Sequence, residues 1–301
     1  MRVFVTGATG YIGSAVVREL LEAGHQVVGL ARSDTAAAAL SAAGVDAHRG
    51  DLEDLDSLRA GAVAADGVIF AANKHVSETT DSTVRAKVEL NAVEAIGSEL
   101  EGTGKPFAVT SGVIGRTPGR LLTEETPDDP NTITALRLPV EKSVIAMGER
   151  GVRSSSIRLA PTVHGHGDTR GFISTLIGIA RATGGSAFVG DGSNRWPSVH
   201  RRDAAALYRL AVESAPAGTR LHAVAEEGVP FRDIAEAIGR QLKLPAVSVT
   251  AEEASRHFSF LAPFVSIDNP TSNALTRERL GWKPEAPALI PDLDEGHYFN
   301  D

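Results

Sequence analysis

Residues 4–20 read FVTGATGYIGSAVVREL, an apolar run that breaks into Gly7, Gly10 and Gly13 and then becomes a helical pattern. Ile12, Val16 and Leu20, with Val17 and Leu21 one position on, recur at the spacing of one helical face. Glycines at such a turn let the chain bend sharply, let backbone N–H groups approach a pyrophosphate and let the helix pack close to the strand. The helix N-terminus adds a partial positive charge that favours an anion. The glycines are separated by two and then two residues, unlike the more general GxGxxG spacing. Their place between a first strand and a periodic helix, at the head of a βαβ unit, supports a dinucleotide-binding turn over a plain strand-to-helix connection. Gly7, Thr9, Gly10, Tyr11, Ile12 and Gly13 are the residues this turn offers to the cofactor.

Outward from that stretch, short β-rich runs alternate with helical ones: HQVVGLAR, VDAHRGD, GVIFAAN, an amphipathic stretch near 79–101, PFAVTSG, a helix at about 132–149, and SSSIRLAP. The strand runs are apolar nearly throughout, as expected when both faces of a parallel sheet are covered. This alternation predicts an α/β fold with a doubly wound parallel sheet. After about residue 164 the rhythm changes to helices punctuated by Pro and Gly, with short strands such as RLHAVA and AVSVT. The reading is a dinucleotide-binding domain over 1–163 and a smaller, mostly helical substrate lobe over 164–301, with the helix near 203–214 packing back on the sheet.

The chain has 301 residues, 42% hydrophobic and 23% charged, which suits a globular protein of one or two domains. A formal charge of −8 argues against a broad basic surface for nucleic acid or anionic membrane and leaves a small molecule as the expected partner. With no cysteine, disulfides, thiolate nucleophiles and zinc–thiolate sites are excluded. No run approaches the ~18 apolar residues of a membrane span, and no leader pattern precedes the first strand, so a cytoplasmic location is expected. A GxSxG elbow and a GxxxxGK[ST] loop are both absent from the chain.

The stretch TGATGYIG resembles the extended and atypical short-chain dehydrogenase/reductase superfamily, in its NAD(P)-dependent epimerase/dehydratase-like and 3-beta hydroxysteroid dehydrogenase-like branch. The resemblance continues in order along the chain, through HRGDL, AAN, TSG, RLAPTVHGHGD and VGDGSNRWPSVHRRDAA. It implies a Rossmann sheet and cofactor contacts at Asp51 and Leu52, at Ala71, Ala72 and Asn73, and at Pro161, Thr162 and Val163. It also implies that the last of these segments faces the substrate, and that a homodimer through the helices flanking the fifth strand is possible.

The second strand ends GLARSD, with Ala31 where NAD-using relatives carry Asp, then Arg32 and Ser33. A guanidinium there suits a 2′-phosphate, so NADP(H) is expected over NAD(H). The superfamily's usual catalyst is a Tyr with a Lys four residues on. The chain's tyrosines, Tyr11, Tyr208 and Tyr298, are followed at that distance by Ala15, by Val212 and by the end of the sequence. Alignment on Glu141 puts Ile133 at the Tyr position and Arg137 at the Lys position, where Arg137 either holds the cofactor ribose or a carboxylate or is a surface charge. Ser111 remains from the usual constellation as a candidate catalytic and substrate contact, and His200 is the candidate for proton exchange near neutrality. Lys74 and His75 fall near the same cleft, and Arg195 and Trp196 are candidates for a substrate wall, with lobe packing the equal alternative for Trp196. His164, His166 and Asp168 lie close in sequence but match no metal-binding spacing, so a loop and no metal is expected. Two functions fit: an oxidoreductase acting on a small carbonyl or alcohol compound, or an NADP(H)-binding sensor without turnover.

Overall fold

The computed structural model describes residues 1–73 and 79–299. Strands β1 (Arg2–Thr6), β2 (Gln26–Ala31), β3 (Asp46–Arg49), β4 (Gly67–Phe70), β5 (Pro106–Gly112) and β6 (Arg153–Leu159) form one parallel sheet in the spatial order 6-5-4-1-2-3. Val3 pairs with Val27 on one side and Gly67 on the other, so the strand order reverses beside β1. In open α/β sheets the crevice at such a reversal, at the carboxyl ends of the strands, is where ligands bind. The glycine turn stands there.

Both faces of the sheet are covered. On one, Val16, Val17 and Leu20 of α1 (Tyr11–Glu22) and Leu40 of α2 (Asp34–Ala42) pack with strand residues Val3, Val5 and Ile69. On the other, α3 (Leu55–Val63), α4 (Ser82–Leu100) and α5 (Leu138–Met147) bury Leu58, Val93, Ile96, Val144 and Met147 against Phe4, Phe70 and Phe107. Asp81 starts α4 by accepting the Thr83 N–H at 2.8 Å. The helix expected over 132–149 begins later: Ala135–Arg137 is a 3-10 turn and α5 opens at Leu138, because Pro139 fits only the first turn of a helix.

Past β6 the chain makes β7 (Thr162–His164), α6 (Phe172–Thr183), β8 (Ser186–Val189) and β9 (Arg195–His200), and α7 (Arg201–Ser214) then returns to the sheet. Ala204, Leu207, Tyr208 and Val212 of α7 join the core on the α1 face. RLHAVA differs from its expected place. As β10 (Thr219–Ala223) it pairs with β6, Leu221 opposite Ile157, and adds a seventh parallel strand to the main sheet. Leu221, Ala223 and Val224 are buried there, an apolar reason for the strand to leave the smaller lobe.

That lobe has its own core. β11 (Glu226–Pro230), α8 (Phe231–Leu242), β12 (Ala246–Val249), α9 (Ala251–Phe258), α10 (Ala262–Val265), α11 (Ala274–Leu280) and α12 (Leu289–Asp294) complete the chain's described elements. Phe231, Ile234, Phe258 and Leu293 pack around Trp196, whose ring meets Phe231 edge-on at 4.9 Å and Phe172 at 5.5 Å. Trp196 is 0% exposed, which corrects its expected role as a substrate wall: a side chain closed in on every side by lobe residues cannot touch a ligand. No described helix is long and apolar enough to cross a membrane. Trp196→Ala should cost about 3–5 kcal/mol of stability in urea unfolding, as expected for a large buried aromatic, while dinucleotide titration of the folded variant is unchanged.

Candidate active site

The turn after β1 leaves little room for side chains. Gly7 adopts φ 70°, and a Cβ on it would stand 2.7 Å from the Ala71 carbonyl oxygen. A Cβ on Gly13 would run into the Gly7 carbonyl, so α1 packs directly on the turn. Gly10 precedes the helix with no side-chain cap on its first N–H groups, the arrangement that an anion site at a helix N-terminus uses. A cavity of about 400 Å³ opens above this turn, lined by Gly7, Thr9, Gly10, Arg32, Asp51, Leu52, Ala71, Ala72 and Asn73.

The structure therefore brings together the glycine turn, the end of β2, the segment after β3 and the segment after β4. Leu30, Ala36, Glu53 and Arg170 line the same cavity and have no signal in the sequence that assigns them there. Arg170 belongs to the loop between β7 and α6, far away in sequence and without periodicity to mark it. Other residues expected at the cofactor do not line the cavity. The Tyr11 hydroxyl donates to the Gly165 carbonyl at 2.9 Å, Ile12 packs on the sheet core, and the Ser33 hydroxyl accepts the Ala36 N–H as the cap of α2. Thr162 donates to the Pro197 carbonyl at 2.6 Å, Val163 packs on the core, and Pro161 does not line the cavity. Lys74 and His75 lie outside the described residues.

The chemistry expected at β5 is arranged otherwise. The Ser111 hydroxyl donates to Glu141 Oε2 at 3.0 Å and accepts from Arg116 Nη2 at 3.0 Å. Both bonds commit it to a buried ionic cluster, which corrects its reading as a free substrate contact. Arg116 and Arg158 pair with Glu141 and also with Asp128, and Arg220 donates to Glu141 at 2.8 Å. Burial opposes the charge on Glu141, but Arg116 and Arg158 outweigh it and hold the carboxyl at about 2, well below its usual 4.5. Beside this cluster His222 receives Arg158 at 3.4 Å and donates to the Ser272 carbonyl at 2.8 Å, and burial pushes it down to about 4.

Arg137 holds a carboxylate, that of Glu89 on α4, through Nε at 3.1 Å and a second bond from Nη2. It precedes α5 rather than lying on it, and it does not line the cofactor cavity. Arg195 is likewise engaged, forming two side-chain bonds to Asp268 at 2.9 and 2.8 Å. His200 caps α7 by accepting the Arg202 N–H on Nδ1, and burial, reinforced by His164, lowers it to about 4. It is thus neutral near pH 7 and lines a second cavity, beside Ser14 and Arg201, away from Ser111; both facts correct its expected part in proton exchange. Burial, with the Asp168 carboxylate, pushes the Tyr11 phenol far up. Burial raises Tyr208 too, and burial with a bond to Asp292 raises Tyr298. Ile133, which the alignment on Glu141 sets opposite the usual Tyr, is 52% exposed.

The family model for the NAD dependent epimerase/dehydratase family matches residues 3–224, and the chain belongs to that family of short-chain-dehydrogenase-type, nicotinamide-dinucleotide enzymes. An uncharacterized protein of Schizosaccharomyces pombe is 48% identical over 302 residues, covering 99% of this chain and 100% of the relative. A UDP-glucose 4-epimerase of Streptomyces lividans is 27% identical over 97% of this chain and 95% of its own length. Among solved structures, the UDP-glucose 4-epimerase of Thermus thermophilus in complex with NAD superposes with a TM-score of 0.77 at 20% identity, over 99% of both chains. That likeness shows the shared fold.

The ionic cluster predicts the acid limb of stability. A carboxyl depressed in the folded state contributes fully above its unfolded value of 4.5 and loses that contribution as pH falls toward 2. Glu141→Gln should cost roughly 3–5 kcal/mol at neutral pH, because three guanidinium groups lose their shared anion, and should flatten the acid limb below pH 4.5 in chemical denaturation.

Proposed function

We propose that the protein is an NADP(H)-dependent oxidoreductase acting on a small carbonyl or alcohol compound. The observation that carries this reading is the presence of Arg32 and Arg170 on the wall of the cavity that the glycine turn opens. The fit is steric as well as electrostatic: Gly7 and Gly13 have no space for a Cβ, while Gly10 leaves the first turn of α1 clear for phosphate oxygens. Arg32, just past β2, would take the 2′-phosphate, where a charge-assisted and bidentate bond is available. Arg170 adds a second cation for the linking phosphates. Asp51 is held by the Glu53 and Asp54 N–H groups, which fixes the segment after β3 along the adenosine side.

When bound, the reduced dinucleotide supplies the hydride that converts a carbonyl to an alcohol. The chain binds and orients it, and the proton for the product oxygen comes from solvent water. Ser111 is tied to Glu141, and the phenols are bonded elsewhere, Tyr11 to Gly165, Tyr208 to Thr110 and Tyr298 to Asp292, so none of them stands in for the usual Tyr. Turnover is accordingly expected to be slow and to show no tyrosine ionisation in its pH profile. A screen of carbonyl compounds that follows loss of NADPH absorbance should reveal oxidation with at least one substrate; tight binding with none oxidised would contradict the reading. Arg32→Ala should weaken NADPH binding at least tenfold, about 1.4 kcal/mol, and NADH binding much less, in a fluorescence titration. Equal losses would remove Arg32 from the 2′-phosphate.

A further inference from the structure

Farther along α1 than the dinucleotide cavity lies a second one, of about 550 Å³, lined among others by Ser14, Arg18, His166, His200, Asp292 and His297. Asp292, on α12, Glu295, just past that helix, and His297 each offer one ligand atom within 4.8 Å of the other two. His297 Nε2 is buried, has no hydrogen-bond partner among the described residues, and lies 3.8 Å from Asp292 Oδ1, too far for a bond. A buried imidazole nitrogen with nothing to bond needs an explanation, and an ion between it and a carboxylate is one. A second, independent sign is His200: only 7% exposed, it lines the same cavity, and its Nε2 takes no partner among the described residues. Because Nδ1 accepts the Arg202 N–H, Nε2 carries the hydrogen and presents a donor to whatever fills the space.

We propose that Asp292, Glu295 and His297 bind one divalent first-row transition ion, with zinc the natural occupant. His166 lines the same cavity, its ring 5.5 Å from that of His297. Two carboxylates with one or two imidazoles are a donor set for zinc and its neighbours, whereas magnesium prefers oxygen alone. Zinc bonds of about 2.0–2.1 Å require the three side chains to close slightly from their present spacing, which exposed Glu295 can do by rotation.

The support behind the ligands fits the assignment. Asp292 Oδ2 is held by the Tyr298 hydroxyl at 2.6 Å and by His164 Nδ1 at 2.8 Å, which leaves Oδ1 turned to His297. Carboxylate ligands of metals are usually steadied in this way. The nearby cations are mostly engaged elsewhere: Arg18 pairs with Glu22, and Arg201 lies over the Tyr11 ring and donates to the His166 carbonyl. Arg202 is the exposed charge that remains on the rim. Tyr298 also receives the Gly165 N–H at 2.5 Å, and Gly165 accepts the Tyr11 hydroxyl, so the ion would brace the C-terminal segment against the loop that carries Arg170. His200 would donate to a water or anion completing the coordination.

The test is calorimetric titration of the tag-free full chain, stripped with EDTA and dialysed, with zinc and separately with magnesium. One zinc per chain, a melting temperature raised by zinc and lowered again by chelator, and no magnesium uptake are expected. Glu295→Gln and His297→Asn should each weaken zinc binding about tenfold or more. The exposed Glu295 side chain makes no hydrogen bond among the described residues, so its variant should melt in EDTA at the wild-type temperature and still bind NADPH. Absence of zinc uptake, or uptake indifferent to both substitutions, would overturn the proposal. Because the readout is metal binding, failure of the oxidoreductase reading would leave this result standing, and the reverse.

Discussion

The contact between Gly13 and the Gly7 carbonyl sets the geometry on which the rest is built. It lets α1 start directly against the turn after β1, and the approach of Gly7 to Ala71 brings β4's exit segment to the same place. With two chain segments that close, no side chain intrudes, and the open helix N-terminus becomes the floor of a cavity at the point where strand order reverses. A methyl group at either glycine would separate these segments and close the anion site. The fold's use therefore rests on absent side chains more than on present ones.

A different constraint governs the ends of β5 and β6. In a strand buried on both faces, Ser154, Ser155 and Ser156 and the wholly buried Arg158 of β6 are an unusual load of polar groups. Arg158 is accommodated because Glu141, from α5, gathers it with Arg116 and Arg220 into one cluster with Asp128, whereas the three serine hydroxyls have no hydrogen-bond partner among the described residues. Taking a charge from such a cluster is costly, since the partners stay buried without compensation. Ser111 is drawn into that arrangement, and Ile133 is exposed. The glycine turn thus depends on backbone geometry near the N-terminus, whereas Ser111, Arg116, Glu141 and Arg158 form an ionic cluster in the interior.

Much of the fold is legible in the sequence because it follows local rules. The glycine turn, the apolar strands and the return of the helix near 203–214 are each written in a few neighbouring residues. Long-range pairings are not. Nothing near Ser111 in sequence announces Glu141, and nothing near Arg170 announces that its loop reaches the dinucleotide cavity. Trp196 illustrates the same limit, since its neighbours Phe172 and Phe231 come from separate elements and only packing reveals that they surround it. The place of β10 is hidden because a run of five residues carries no label for the sheet it joins. His200 misleads for a related reason: its ordinary titration range is a property of exposed imidazole, and burial beside His164 removes it.

The central claim is the proposal that the cavity above the glycine turn receives a nicotinamide dinucleotide, with Arg32 reading its 2′-phosphate. Isothermal titration of the pure, folded chain with NADPH and with NADH measures this directly. The account predicts one site per chain and clearly tighter binding of NADPH; a folded protein that takes up neither coenzyme would contradict it.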